Sequence, residues 1–188
     1  MNKLITDKID NLLKTKDKII IAIDGKSTSG KTTLSEKLFK IYDCNIFHID
    51  DFYLPFELRT DERMNQIGGN IHFERLIDEV INKLKKDDSF EYGVFSCKDG
   101  KINKITKITP KRINIIEGVY CMHPSIKDIY DLKIYIEIDE NKQLTRLKTR
   151  NPEKFEQFIT KWIPRENVYF DSLNIKELYD LVIDTDSI

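Results

Sequence analysis

The chain carries Gly25-Lys26-Ser27-Thr28-Ser29-Gly30-Lys31-Thr32, a full match to G-x-x-x-x-G-K-[ST], followed by Thr33. Glycines at the two fixed positions permit backbone angles and a close approach that side chains would block. Loop amides and the free N–H groups at the start of a following helix then face an anion. In that arrangement Lys31 reaches the β- and γ-phosphates of a nucleoside triphosphate, and the Thr32 hydroxyl ligates Mg²⁺. Gly25 through Thr33 are therefore the candidate phosphate-donor site, and the sequence must next supply whatever receives the phosphate.

Phosphoryl transfer asks for positioning, charge neutralisation and a group to take the acceptor's proton. Asp50 and Asp51 stand where a short strand ends. Asp50 would accept a hydroxyl proton or bind Mg²⁺ through water; Asp51 is the neighbouring rival, and strand alternation turns the two apart. Glu117 closes the run Ile113-Asn114-Ile115-Ile116, the place of an acid beside Mg²⁺. Arg146 and Arg150 lie four apart on one helical face, as a guanidinium clamp on the migrating phosphoryl or as a solvated face. Arg63 and Phe95 are candidate acceptor contacts. His48 reads as a packed mid-strand histidine, and Trp162, Phe155 and Phe158 read as core. His72 and His123 have no partners at metal-ligand spacing, so no protein-built metal site is expected.

The elements that must hold these residues alternate. Ile19-Ile20-Ile21-Ala22-Ile23 is a buried strand, and Leu34, Leu38 and Ile41 recur at helical spacing behind the loop. Asn45–Ile49, Ile113–Ile116, Leu132–Ile138 and Tyr179–Asp184 are further strands. Helices are expected before the first strand, over Phe73–Leu84, from Leu144 and from Pro152 to Trp162. Strands alternating with helices behind a phosphate loop predict an α/β P-loop NTPase fold, a five-stranded parallel sheet flanked by helices. Around residues 90–108, β-type residues flank Lys98-Asp99-Gly100-Lys101, a hairpin signal. That hairpin is expected as a small insert over the acceptor site, and a lid is expected at about 144–165, all within one domain.

Composition narrows the partners. In 188 residues, 31 basic and 32 acidic side chains leave a formal net charge of −1, with no basic block suited to nucleic acid. Three scattered cysteines show no metal spacing. No apolar run approaches the ~18 residues that a membrane span needs, and the amphipathic N-terminus is not a signal peptide. A cytoplasmic chain with a small-molecule acceptor is the expectation; oligomeric state is not legible.

Together the phosphate loop, Asp50-Asp51-Phe52-Tyr53, Glu117-Gly118-Val119-Tyr120 and Leu144-Thr145-Arg146 through Arg150-Asn151 resemble the uridine kinases and related small P-loop kinases, a group that includes pantothenate kinase and phosphoribulokinase. The resemblance implies ATP as donor, Mg²⁺ held near Thr32, Asp50 and Glu117, and Asp50 as the base. It also implies Tyr53 as an acceptor-site residue and Arg146 and Arg150 as lid arginines. The stretches that hold the nucleoside in uridine kinases differ here. Gly69-Asn70-Ile71-His72-Phe73-Glu74-Arg75 lacks the family's aspartate, and Val94-Phe95-Ser96-Cys97-Lys98 lacks its aspartate and histidine. A uridine- or cytidine-type acceptor is expected, with a pantothenate-like or sugar alcohol, or a non-catalytic nucleotide switch, as alternatives. No N-K-x-D or L-S-G-G-Q signature supports a GTPase or a transporter ATPase.

Overall fold

The computed structural model describes residues 2–172 and 175–188. Its central strand β1, Ile19–Gly25, is buried along nearly its whole length, as a parallel strand covered on both faces must be. Around it lie β2 (Cys44–His48), β5 (Ile113–Glu117), β6 (Leu132–Glu137) and β7 (Leu181–Asp184), in the order β2-β5-β1-β6-β7 and all parallel. On one face, α1 (Lys3–Leu13) and α2 (Lys31–Phe39) bury Ile5, Ile9, Leu34 and Leu38 against Ile19, Ile21 and Ile23. On the other, Ala22, Phe47 and Ile116 meet Leu76 and Val80 of α3 (residues 73–84), and Tyr169 and Phe170 of α5 (residues 155–172). Between them in sequence, α4 (Glu140–Arg150) follows β6. This is the P-loop NTPase fold, a five-stranded parallel sheet flanked by helices.

Two boundaries differ from the periodicity in ways that matter for the site. β2 stops at His48, and Ile49–Phe52 winds into a single 3-10 turn because Ile49 and Phe52 both bury their side chains there. Asp50 and Asp51 therefore sit on a turn and not on the strand. The last strand starts at Leu181, since Tyr179 turns inward to donate its hydroxyl to Asp24.

The hairpin of β3 (Phe90–Ser96) and β4 (Lys101–Ile108) forms its own two-stranded sheet. It is fastened to the flank of the Asp50 turn. Tyr92 stacks on Phe52 at 5.5 Å between centroids, Phe90 on Phe47 at 6.3 Å, and the Tyr92 hydroxyl donates to Asp51 at 2.9 Å. Among the described residues, no helix is long and apolar enough to cross a membrane.

The carboxyl ends of β1, β2 and β5 converge at Gly118. Its N–H donates to the Ile23 carbonyl at 3.1 Å, its φ is +148°, and a Cβ built there would lie 2.6 Å from Ile49 Cβ. We expect Gly118→Ala to cost roughly 2–4 kcal/mol, from backbone strain and overpacking together. Urea unfolding would read this, and an unchanged midpoint would show that the junction yields freely.

Candidate active site

The phosphate loop is shaped by what stands behind it. Gly25 has φ +148°, and a Cβ there would meet the Ile136 carbonyl oxygen of the neighbouring strand at 2.5 Å, so no other residue fits. Thr28 takes a left-handed φ of 62° and Gly30 one of 108°, which turn the chain into α2. Lys31 is buried and lays its Nζ back across the loop, donating to the carbonyls of Gly25 (2.8 Å) and Lys26 (3.0 Å). From behind, the Thr185 hydroxyl donates to the Ser29 carbonyl at 2.6 Å. Arg146 Nη1 in turn donates to Thr185 Oγ1 at 2.7 Å and to the Thr28 carbonyl at 3.0 Å.

Beside the loop, strand register brings Glu117 opposite His48. The Glu117 carboxylate accepts from the Thr32 hydroxyl at 2.9 Å and lies 2.6 Å from His48 Nδ1, both through Oε1. Burial alone would raise Glu117. The His48 bond, the Lys31 charge and the Thr32 hydroxyl outweigh it and hold the carboxyl below its ordinary range. His48 is pushed up, first by its bond to Glu117 and against its partial burial.

Asp50 faces the same cavity from the turn after β2. Burial of its carboxyl among protein groups, then the Glu117 charge, raise its proton affinity; Lys31 and a hydrogen bond from Tyr53 oppose them. Asp51 is also raised, by burial, while Tyr92 opposes the shift. The two carboxylates do diverge: Asp50 engages Tyr53, and Asp51 engages the hairpin.

All of this opens on one cavity of about 920 Å³. Ser27, Thr28, Gly30, Lys31, Thr32 and Thr33 line its donor side, with Arg146 and Arg150 of α4. His48, Asp50, Asp51, Tyr53, Asn70, Ile71, Glu117 and Tyr120 line the remainder. Gly25, Lys26 and Ser29 lie in the loop but not on the cavity wall. Among the described residues, no three His, Cys, Asp or Glu side chains gather as a protein-only metal site.

Some expectations are corrected by this geometry. No residue of the 90–108 hairpin lines the cavity, because its aromatic face is spent on Phe47 and Phe52. Phe95 is buried and meets Phe56 edge-on at 6.4 Å. Arg63 also lies off the cavity wall. Its guanidinium grips Glu74 through two nitrogens at 2.9 and 3.0 Å and donates to the Ile71 carbonyl at 3.1 Å. That pairing pulls the Glu74 carboxyl down to about 2. In the other direction, Trp162 and Phe158, expected in the core, line the cavity, as does His48.

The largest omission from the sequence reading is Glu166 of α5. It is 4 % exposed, and its carboxylate accepts from the Ser27 N–H at 2.9 Å and from the Ser27 hydroxyl. Burial raises its proton affinity, against the Ser27 bonds and the charges of Lys31 and Lys26. Asp24, at the foot of the loop, is fully buried. It accepts from Gly25 N–H at 2.7 Å, Tyr169 hydroxyl at 2.6 Å and Tyr179 hydroxyl at 2.9 Å. Both acids precede or follow apolar residues without any local pattern, and only their distant partners reveal them.

Comparison with known proteins bears on the family and the fold. Residues 20–154 match the family described as "Phosphoribulokinase / Uridine kinase family". A protein named uridine kinase from Ligilactobacillus salivarius is 25% identical over 146 residues, 72% of this chain and 68% of that one. Another of that name from Ureaplasma parvum serovar 3 is 27% identical over 163 residues, 80% of this chain and 79% of that one. Among solved structures, one titled as a possible uridine kinase from Bacillus stearothermophilus superposes with a TM-score of 0.71 at 20% identity. It covers 96% of this chain and 99% of its own, and it supports the fold alone.

The Asp24 carboxyl is raised to about 6 by burial, which its hydrogen bonds only partly offset. Its neutral form is the one the fold favours, so this contribution is whole below pH ~4 and is lost as pH rises through about 6. Between pH 4 and pH 7 the unfolding free energy of the wild type should therefore fall relative to Asp24→Asn, by up to about 3 kcal/mol. Urea titrations of both proteins at each pH test this; a difference that stays flat would show that Asp24 titrates as a free aspartate.

Proposed function

The chain belongs to the phosphoribulokinase / uridine kinase family, and from that premise we propose that it transfers the γ-phosphoryl group of ATP to a hydroxyl of a nucleoside. One observation carries the reading. The phosphate-loop side chains of Lys31 and Thr32 and the carboxylates of Asp50 and Glu117 all line a single cavity.

Asp50 is the base. Its raised proton affinity makes it a better acceptor of the hydroxyl proton than a free aspartate, and the Tyr53 bond aims it. As the proton moves to Asp50, the acceptor oxygen bonds to the γ-phosphorus, the bond from that phosphorus to the bridging oxygen breaks, and ADP leaves. Lys31 turns from its loop carbonyls to the phosphates and neutralises charge developing on the migrating group. Arg146 is already anchored on the loop, and Arg150 stands beside it on the same wall, so α4 serves as the lid over the phosphates.

The donor set suits Mg²⁺, which takes hard oxygen ligands and keeps several waters. The Thr32 hydroxyl, Glu117 and Asp50 are the residues that would hold it, and when bound it neutralises phosphate charge. Glu117 fits this duty because it stays ionised despite burial, and its bond to Thr32 brings the two oxygens together.

A second reading keeps the mechanism and changes the acceptor. Both stretches that hold the nucleoside in uridine kinases depart from that pattern here: residues 69–75 bring Asn70 and Ile71 to the cavity wall without the family's aspartate, and the hairpin lines no part of the cavity. A smaller alcohol, pantothenate-like or sugar-like, fits that observation.

ADP release from Mg-ATP across nucleosides, pantothenate and simple sugars, against an acceptor-free control, separates the two readings. Stimulation by uridine or cytidine supports the first, and turnover only with another alcohol supports the second. ATP binding without turnover on any acceptor would replace both with a nucleotide-binding switch. With the acceptor in hand, Asp50→Asn should bind ATP nearly as wild type while kcat falls by about 10²-fold or more. Near-normal kcat in that variant, with collapse in Asp51→Asn, would move the base by one residue.

A further inference from the structure

A bulky side chain is disfavoured where the backbone turns left-handed, so a residue kept there calls for a reason. Among the described residues, two that are not glycine take a positive φ: Thr28 of the phosphate loop, at 62°, and Tyr120, at 80°. Strain of this kind costs about 1–3 kcal/mol and persists only where the surroundings over-determine it. At Tyr120 they do. Its carbonyl accepts from the His123 N–H at 3.0 Å, and the Met122 N–H donates to the Tyr169 hydroxyl at 2.8 Å. The Tyr120 ring meets that of Tyr169 edge-on, with centroids 4.8 Å apart.

The strained backbone places one hydroxyl. Tyr120 is buried and lines the cavity. Tyr92, Tyr169 and Tyr179 spend their hydroxyls on Asp51 and Asp24, whereas among the described residues that of Tyr120 has no hydrogen-bond partner. Glu166, which holds Ser27 of the phosphate loop, and Asp50, the candidate base, are both among the charges that act on it. Tyr53, beside Asp50, senses Tyr120 in turn. The ring is thus a neighbour of both the loop and the base, and the interval between those two is the one that a phosphoryl group crosses. Burial, then the Glu166 charge, push the proton affinity of the hydroxyl up, against Arg165, so it keeps its proton and donates.

We propose that Tyr120 is a further catalytic residue, its hydroxyl donating to a non-bridging oxygen of the phosphoryl group in transfer. The inference rests on the kinase reading above and adds a donor to it. The group in transfer spreads its charge over three equatorial oxygens. Lys31 serves it from the loop and Arg146 and Arg150 from α4, and Tyr120 adds a neutral donor from the segment after β5. Another cation in that place would lower the proton affinity of the nearby Asp50, which a neutral hydroxyl leaves high. A donor held by packing, with no protein bond to break first, needs no reorganisation as charge develops. No proton leaves Tyr120 in this role.

The test uses the acceptor that turns over best, with wild type, Tyr120→Phe and Tyr120→Gly. Tyr120→Phe keeps the ring and the backbone and removes only the hydroxyl. Its kcat should fall about 10- to 100-fold, while the KM of ATP and that of the acceptor hold within about threefold, as for an interaction made only in the transition state. A second readout needs no turnover. With the acceptor present, aluminium fluoride should tighten ADP binding to wild type by imitating the group in transfer. Tyr120→Phe should lose that tightening by the same factor as kcat and bind ADP alone as wild type does. An unchanged melting temperature in Tyr120→Phe excludes misfolding. Should it melt lower, Tyr120→Gly, which relieves the left-handed backbone, carries the comparison, and its kcat should fall at least as far.

The inference is overturned if either variant keeps kcat within about twofold of wild type, or if the loss in Tyr120→Phe falls on a KM with kcat unchanged. Should wild type release no ADP above the acceptor-free rate with any hydroxyl compound, the kinase reading itself falls and takes this one with it. Turnover that survives Tyr120→Phe but not Asp50→Asn overturns the inference alone.

Discussion

A single buried carboxylate ties the phosphate loop to the rest of the molecule. Asp24 stands at the end of β1, one residue before the loop begins, and draws in hydroxyls from Tyr169 on α5 and Tyr179 just before β7. The N–H of Met122, after β5, also approaches it at 3.3 Å. A buried carboxylate without such donors is costly, so the three outer segments can reach low energy only where Asp24 places them. The loop's geometry is therefore set from behind as much as by its own glycines.

The front of the loop is organised by charge. Lys31 has Asp50, Glu117 and Glu166 among its electrostatic neighbours, and it rests on carbonyl oxygens of its own loop. Acids crowded around one ammonium answer to different forces: Glu117 stays ionised through His48 and Thr32, whereas Asp50 and Glu166 are pushed towards their neutral forms by burial. Environments that push like groups apart in proton affinity allow carboxylates in one cavity to take different duties.

Much of this was legible in the chain, and the reason is range. The loop reads at once because its eight residues are consecutive and their context is a strand and a helix. The strands read from runs such as Ile113–Ile116, since a doubly covered strand must be apolar throughout. His48 was misread because its partner is a register neighbour on β5, and register across non-consecutive strands leaves no trace in periodicity. Asp24 and Glu166 escaped for the same reason: the groups that give them meaning are Tyr169 and Ser27, both far away in the sequence. The hairpin's Asp-Gly turn was visible, but the side on which its aromatic face settles was decided by Phe47 and Phe52.

The bond from Glu166 to Ser27 crosses 139 residues of sequence. It makes the loop and α5 parts of one thermodynamic balance. To the extent that occupying the loop's amides strengthens or weakens that bond, the stability of α5 shifts by that coupling free energy, and a change in α5 returns the same coupling to the loop. In an enzyme whose ligand arrives at one end of the sequence, the far end thus shares in every binding event, without a separate signal having to travel between them.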